Sequence, residues 1–320
     1  MKIAFVGKGG SGKSTLSALF IRYLQSAPKN PVLAMDADLN MNLAGLLGAK
    51  TDPATLLARP DVQNALRTAL KGSNPLVKDA SSFLPTTPPG PGSYIIRDTS
   101  DPVLNPYACA VAQDPPLRLL TVGSYGKEEI GQACYHTHLF MAENILSHTL
   151  LPDNQWLVAD MVAGTDAFAY SLHLQFDAIM LIIEPTPESA EVYNLYMELA
   201  RTAGVDRLIH LVANKVSDQD DLDFVISQTG VAPLVVLPYL SSLKKQRQHG
   251  GAVSPEQIDG TLRLALARIM TAAENPAIPA TKRMVMLRHL HEKLAQQDWV
   301  KSGYGDVSNQ WDAHPLQEAI

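Results

Sequence analysis

Apolar positions in this chain gather into short runs. They are Ile3–Val6, Val32–Met35, Leu117–Val122, Trp156–Ala159, Ala178–Ile183, Leu208–Ala213 and Leu234–Leu237. Several are apolar throughout, without the polar alternation of a half-exposed strand. Such runs predict strands covered on both faces. Helix signals lie between them. Thr186-Pro187-Glu188 offers an N-cap, a proline at the first helical position and an acid in the first turn, and Gly204 is placed to stop that helix after Ala203. Ser254-Pro255-Glu256-Gln257 has the S-x-x-Q form of a capping box and predicts a helix running into Arg268–Ala273. Strands alternating with helices predict an α/β fold with a doubly wound, mostly parallel sheet.

Two regions break this rhythm. Residues 72–116 are rich in proline, including Pro75, Pro85, Pro88, Pro89 and Pro91, and read as an insertion, a lid or a disordered loop. Residues 241–320 follow the last strand and read as helical, then irregular. The expected organisation is a nucleotide-binding domain over 1–245, carrying the insertion 72–116, and a helical C-terminal extension over 246–320.

Composition narrows the class. Of 320 residues, 46% are hydrophobic and 18% charged, enough apolar content for a sizeable core. The net charge of −6 gives no global basic footprint, so no nucleic-acid partner is expected. No apolar run approaches a membrane span and no leader pattern precedes the first strand, so no membrane partner and a cytoplasmic location are expected. Two cysteines, Cys109 and Cys134, do not make a disulfide scaffold.

The chemistry is concentrated in GKGGSGKST, residues 7–15, directly after the first strand. Gly7, Gly9 and Gly12 fit the dinucleotide turn G-x-G-x-x-G. Gly7, Gly12, Lys13 and Ser14 fit the P-loop G-x-x-x-x-G-K-S. The glycines do the same work in both, a tight turn that aims backbone N–H groups at phosphate. Lys13 and Ser14 separate the two, because only a nucleoside triphosphate with Mg2+ needs that ammonium and that hydroxyl. Asp36, at the end of the second strand, stands where a ribose-binding acid would, but it lies in DADLNMN, which is more polar than a ribose requires. ATP with Mg2+ is the expected ligand, held by Gly9, Gly10, Ser11, Gly12, Lys13, Ser14 and Thr15.

The extra lysine, Lys8, carries a resemblance. Gly-Lys-Gly-Gly-x-Gly-Lys-Ser/Thr resembles the deviant Walker A motif of the family that includes the MinD and ParA positioning ATPases, the nitrogenase iron protein and metal-insertion ATPases. The resemblance implies a P-loop NTPase fold and an ATP-bound homodimer in which Lys8 reaches the partner's nucleotide, as an arginine finger does. DADLNMNL (36–43) is similar to the family's first switch, with Leu39 where the family has proline. It implies that Asp38 positions the attacking water and contacts the Mg2+ shell. DMVAG (160–164) looks like the second switch, which implies Asp160 on Mg2+ through water and Gly164 near the γ-phosphate. Ser14 completes the Mg2+ set. ANK (213–215) and LPY (237–239) resemble adenine-contacting segments and implicate Asn214, Lys215 and Pro238.

Within the family, ACYHTHLFMAENIL (133–146) resembles the corresponding stretch of the CooC-type nickel-insertion ATPases of carbon monoxide dehydrogenase maturation, which have Cys-x-Cys where this chain has Cys134-Tyr-His136. Thiolate and imidazole both suit Zn2+ and Ni2+. One Cys/His pair per chain is too few for a closed site, whereas a dimer would supply four ligands. His138 is a further candidate if this stretch is extended. The resemblance implies a metallochaperone for a client metalloenzyme. The iron–sulfur alternative lacks a second cysteine over 160–176. The other alternative is a positioning ATPase without a metal site. Its basic segment would be KRMVMLRHLHEKL (282–294), which otherwise reads as a helix packed on the core.

Overall fold

The computed structural model describes residues 1–26, 28–124 and 135–311, excepting the side chains of Tyr135, His136, Ser242, Gln246 and Arg247. Its strands are β1 (Lys2–Gly7), β2 (Val32–Ala37), β3 (Cys109–Gln113), β4 (Pro116–Thr121), β5 (Trp156–Met161), β6 (Ala178–Ile183), β7 (Ile209–Val216) and β8 (Val235–Pro238). They form one sheet in the order β3-β4-β2-β5-β1-β6-β7-β8. Every pairing is parallel except β3 with β4. The helices are α1 (Lys13–Ser26), α2 (Asn42–Leu46), α3 (Pro60–Lys71), α4 (Tyr135–Ser147), α5 (Pro187–Ala203), α6 (Gln219–Thr229), α7 (Ser241–Gln248), α8 (Gly260–Glu274), α9 (Ala280–Ala295) and α10 (Asp298–Tyr304).

Strand alternation explains the two-sided core. Ala4 and Val6 of β1 face one side, with Leu66 of α3, Ile145 of α4 and Tyr196 of α5. Ile3 and Phe5 face the other, with Leu19 of α1 and Leu262, Leu266 and Ile269 of α8. β1, β2, β5 and β6 are buried along nearly their whole length, as apolar runs without alternation require. The α5 boundaries are those the sequence predicts: Thr186 accepts from Ser189 N–H and Gly204 ends the helix in the left-handed region.

Three expectations are corrected. Residues 72–116 are neither a lid nor disordered. Val77, Phe83, Ile96 and Leu104 are buried in the main core, and Asn74, Thr86 and Thr87 are buried with them. Side-chain hydrogen bonds shape the proline-rich backbone: Asp79 accepts from Ser81 and Ser82 N–H, and Asp101 from Val103 N–H. The region also supplies β3, which flanks β4 as an antiparallel edge. The capping box at Ser254 closes only a 3-10 turn, Pro255–Gln257. Ile258 leaves the helical region, and Asp259 then caps α8 by accepting from Leu262 N–H. Finally, Tyr135 onward is helical, so His136 and His138 are not on one face of an extended segment. Two residues on a helix lie roughly 200° apart, and His138 is buried.

Segment 282–294 falls within α9 and packs on the body of the protein through Arg283, Leu287 and His291, one turn apart. No helix among the described residues is long and apolar enough to cross a membrane.

Candidate nucleotide site

The parallel strands end at one edge of the sheet. There β1 runs into the glycine loop, β2 into the segment 38–41, and β5 into 162–165. Parallel sheets bind ligands at this edge. Gly7 has φ +142°, and a Cβ there would lie 2.2 Å from the Ile182 carbonyl oxygen of the neighbouring strand. Gly12 has φ +99°, and a Cβ there would meet Asn214 Nδ2 at 2.3 Å. The loop is thus packed so closely that neither position tolerates a side chain. Gly9 and Gly10 are exposed at its crest, and Ser14 and Thr15 are half-buried in the first turn of α1.

Lys13 is buried, with Nζ 3.4 Å from Lys8 O and 3.8 Å from Asp38 Oδ2. Its ammonium therefore lies over the loop. The Lys8 carbonyl also accepts from Ser11 N–H, which closes the turn. The Lys8 side chain is half-buried, and among the described residues its ammonium makes no ion pair or hydrogen bond. The Ser11 hydroxyl is fully buried and without a partner among the described residues.

Three carboxylates face this loop. Asp36 accepts from Leu43 N–H (2.9 Å) and Asp38 N–H (3.3 Å), so it shapes the segment that carries Asp38. Asp38 accepts from the backbone and side-chain amides of Asn40, each at 2.9 Å. Leu39, in the family's proline position, packs against the core, and these bonds fix the loop in place of a pyrrolidine ring. Asp160 lies beside Asp36 on the adjacent strand and is wholly buried. Its Oδ1 is 3.5 Å from the Ser17 hydroxyl, its carboxyl also feels the Ser14 hydroxyl, and its Oδ2 has no hydrogen-bond partner of standard geometry among the described residues. Burial raises the Asp36 carboxyl to about 7. Burial, then the charge of Asp36, raises Asp160 to about 8.

An orphaned carboxylate oxygen and two raised carboxyls mark a site short of positive charge. Mg2+ fits that deficit, with Ser14, Asp38 and Asp160 as the groups to hold it directly or through water. Among the described residues, no cluster of three or more Cys, His, Asp or Glu is built to hold a metal by itself. Mg2+ here would accordingly need phosphate oxygens, its usual arrangement in nucleotide sites.

Two further elements brace the loop. Asn214 Nδ2 donates to Ser11 O at 2.7 Å, and Lys215 Nζ donates to Gly10 O at 2.7 Å while pairing with Glu184 at 2.8 Å. Lys215 is in the left-handed region, φ 62°, which turns its side chain back to the loop. Pro238 ends β8 at the surface. Gly164 has φ +87°, donates its N–H to Gly7 O at 3.3 Å, and has open space where a Cβ would stand.

Several partners are not evident from motif reading. Glu143 of α4 is buried, and Ser171 donates to it through both its backbone N–H and its hydroxyl. Its signal in the sequence is a lone acid inside the apolar stretch LFMAENIL. Ser17 lies one turn beyond Lys13, the spacing that places both on one helix face. Cys134 and the His136 side chain lie outside the described residues.

The profile of a known family, the CobQ/CobB/MinD/ParA nucleotide binding domain, matches residues 3–253. The carbon monoxide dehydrogenase accessory protein CooC of Rhodospirillum rubrum is 25% identical over 251 residues, covering 78% of this chain and 88% of that protein. An uncharacterized ATP-binding protein of Methanocaldococcus jannaschii is 26% identical over 248 residues, 75% of this chain and 85% of that protein. Among solved structures, a ParA family ATPase from Chlorobium tepidum aligns with TM-score 0.58 at 15% identity, covering 84% of this chain and 98% of that one. MinD in the MinC:MinD complex of Aquifex aeolicus gives 0.52 at 15% identity, covering 87% and 97%. These structural likenesses concern the fold.

Proposed function

The chain belongs to the CobQ/CobB/MinD/ParA nucleotide-binding family and is a P-loop ATPase, and from that premise we propose that it is a nucleotide-switched dimer that carries nickel or a related metal to a client enzyme. Lys13, Ser14 and the amides of residues 9–15 hold the triphosphate. Bound Mg2+ supplies charge neutralisation for the phosphoryl oxygens. Asp38 orients the attacking water. Lys8, supplied by the partner subunit, stabilises the charge that develops on the transferred phosphoryl group. In this reading Asn214, Lys215 and Pro238 contact the base, and the first two also fix the loop through Ser11 O and Gly10 O.

The observation that carries the switching half of this reading is the Ser171–Glu143 bond. Seven residues beyond Gly164, Ser171 is fastened to α4, the helix that begins directly after Cys134. Phe140 of α4 adds an edge-to-face contact with Tyr170, 5.0 Å between centroids. Movement of 160–164 with the γ-phosphate would reach Cys134 and His136 by this route. The metal half is supported by the likeness to CooC and by the Cys134-Tyr-His136 pattern. The reaction is ATP plus water to ADP and phosphate, with metal as cargo.

Elemental analysis tests the metal half. The chain is loaded with Ni2+ or Zn2+, desalted, and measured with and without ATP beside Cys134→Ala. The expected result is one ion per dimer, lost in the variant. No retained ion in either protein leaves the alternative, a positioning ATPase of the MinD/ParA kind.

A further inference from the structure

A cavity of about 330 Å³ lies away from the nucleotide edge, beside Lys2 at the opposite end of β1. Its apolar walls include Ile95, Leu150, Leu174, Met284 and Leu287. One wall is α9, which lies beyond the residues matched by the family profile. The cavity is therefore no part of the shared nucleotide machinery. Its size is at the low end of the range for small-molecule sites.

The charge in it is one-sided. Lys2, Arg283 and Arg288 line the cavity, and no acid among the described residues does. Arg283 is paired with Asp177. Lys2 Nζ donates to the carbonyls of Leu146 (2.9 Å) and Thr149 (3.2 Å), and the nearby Asp177 carboxylate accepts from the Lys2 backbone N–H while pairing with Arg283. Burial lowers the Lys2 ammonium to about 8, outweighing the opposite pull of the Asp177 carboxylate. Arg288 stacks on Trp311, 5.3 Å from the ring centroid, and its buried Nε has no partner among the described residues.

His148 supplies the third feature. It is 1% exposed and lines the cavity. Its Nδ1 is 2.9 Å from the Asn144 carbonyl, which can only accept, and 3.0 Å from the Ser147 hydroxyl, which also reaches that carbonyl; the tautomer that satisfies the carbonyl has the proton on Nδ1. Burial pushes the imidazole down to about 4 and keeps it neutral. In that tautomer Nε2 is a buried lone pair without a partner among the described residues, which a donor reaching it from the cavity would satisfy.

We propose that this cavity binds a small organic anion with an apolar body, its carboxylate held by Lys2 and Arg288 and a hydroxyl of the ligand donating to His148 Nε2. The apolar walls take the body, the cations take the charge, and the imidazole selects a hydroxylated acid over its plain counterpart.

Titration calorimetry on the full chain tests this, with Mg·ADP saturating so that the glycine loop does not compete for anions. The probes are 3-hydroxyoctanoate, octanoate and octanol. The hydroxy acid should bind saturably at one site per chain, about fivefold or more tighter than octanoate. Octanol, lacking the charge, should be weaker by about tenfold or more. Arg288→Leu should weaken the hydroxy acid by a similar factor, and His148→Phe should abolish the preference for the hydroxyl. Mg·ADP affinity and melting temperature verify that each variant is folded. A readout on the unaltered chain needs no variant: the His148 Nε2 nitrogen resonance should move on adding 3-hydroxyoctanoate and stay put with octanol. Absence of saturable binding, octanol binding as tightly as the acid, or an unmoved Nε2 resonance at saturation would each overturn the proposal.

Discussion

Asp36 and Asp160 stand opposite one another on adjacent parallel strands, both fully buried, with the ammonium of Lys13 on the loop before them. Each carboxyl is raised, to about 7 and about 8, so the folded chain holds protons that the unfolded chain releases near pH 4. Below pH 4 both states are protonated and the pair costs nothing. Above it the nucleotide-free protein loses stability as pH rises, and the loss is complete once pH passes about 8. Chemical denaturation between pH 5 and pH 8.5 should show this decline, and Asp160→Asn should flatten it. Binding of Mg·ADP should release protons, seen in calorimetry as a dependence of the heat on buffer ionisation.

Lys8→Ala should separate binding from turnover. The side chain has no structural partner among the described residues, so the fold should be unaffected. With the trans cation removed, ATP hydrolysis should fall by about 10³-fold, while Mg·ADP affinity changes by less than about threefold. Normal hydrolysis by the variant would refute the trans role.

Gly12→Ala forces a Cβ onto the Asn214 amide and a left-handed φ onto alanine. The strain is about 1–3 kcal/mol, and the loop is where it falls. A lower melting temperature together with loss of ATP binding is expected. Adding Asn214→Ala relieves the contact but not the φ, so the double variant should recover part of the stability and little of the binding.

Ser171→Ala removes the hydroxyl donor to the buried Glu143 carboxylate and leaves the Ser171 backbone N–H. A loss of about 1–3 kcal/mol follows in denaturant unfolding. If the bond carries the nucleotide signal, ATP should also lose its influence on metal retention at Cys134, while hydrolysis by the isolated site persists.

How far the sequence discloses this molecule depends on the range of the interactions. The glycine loop, Asp38, Asp160 and the buried strands are local or strictly spaced, and were readable. α5 was readable because Thr186, Pro187 and Gly204 act through their own neighbours. Residues 72–116 were not. Proline density suggests a loop, yet Phe83 and Ile96 are fixed by contacts with distant helices and strands. β3 escaped for the same reason: CAVAQ is an edge strand, half-exposed and short, with little apolar signature of its own. The bracing by Asn214 and Lys215 of a loop some two hundred residues earlier lies beyond any spacing rule. His138 misled through geometry, since alternation means one face only in a strand.

The position of β1 has a consequence for how the chain is made. Its two neighbours are β5 and β6, which begin at Trp156 and Ala178. On a ribosome adding roughly 5–20 residues per second, the β1 segment KIAFVG waits on the order of ten seconds or more for its first partner strand. During that interval its cover can come only from helices, α1 on one face and later α3 and α4 on the other. A strand from the middle of the finished sheet thus waits longest for its strand partners during synthesis, and newly made chains should depend on holding factors more than the compactness of the final core suggests.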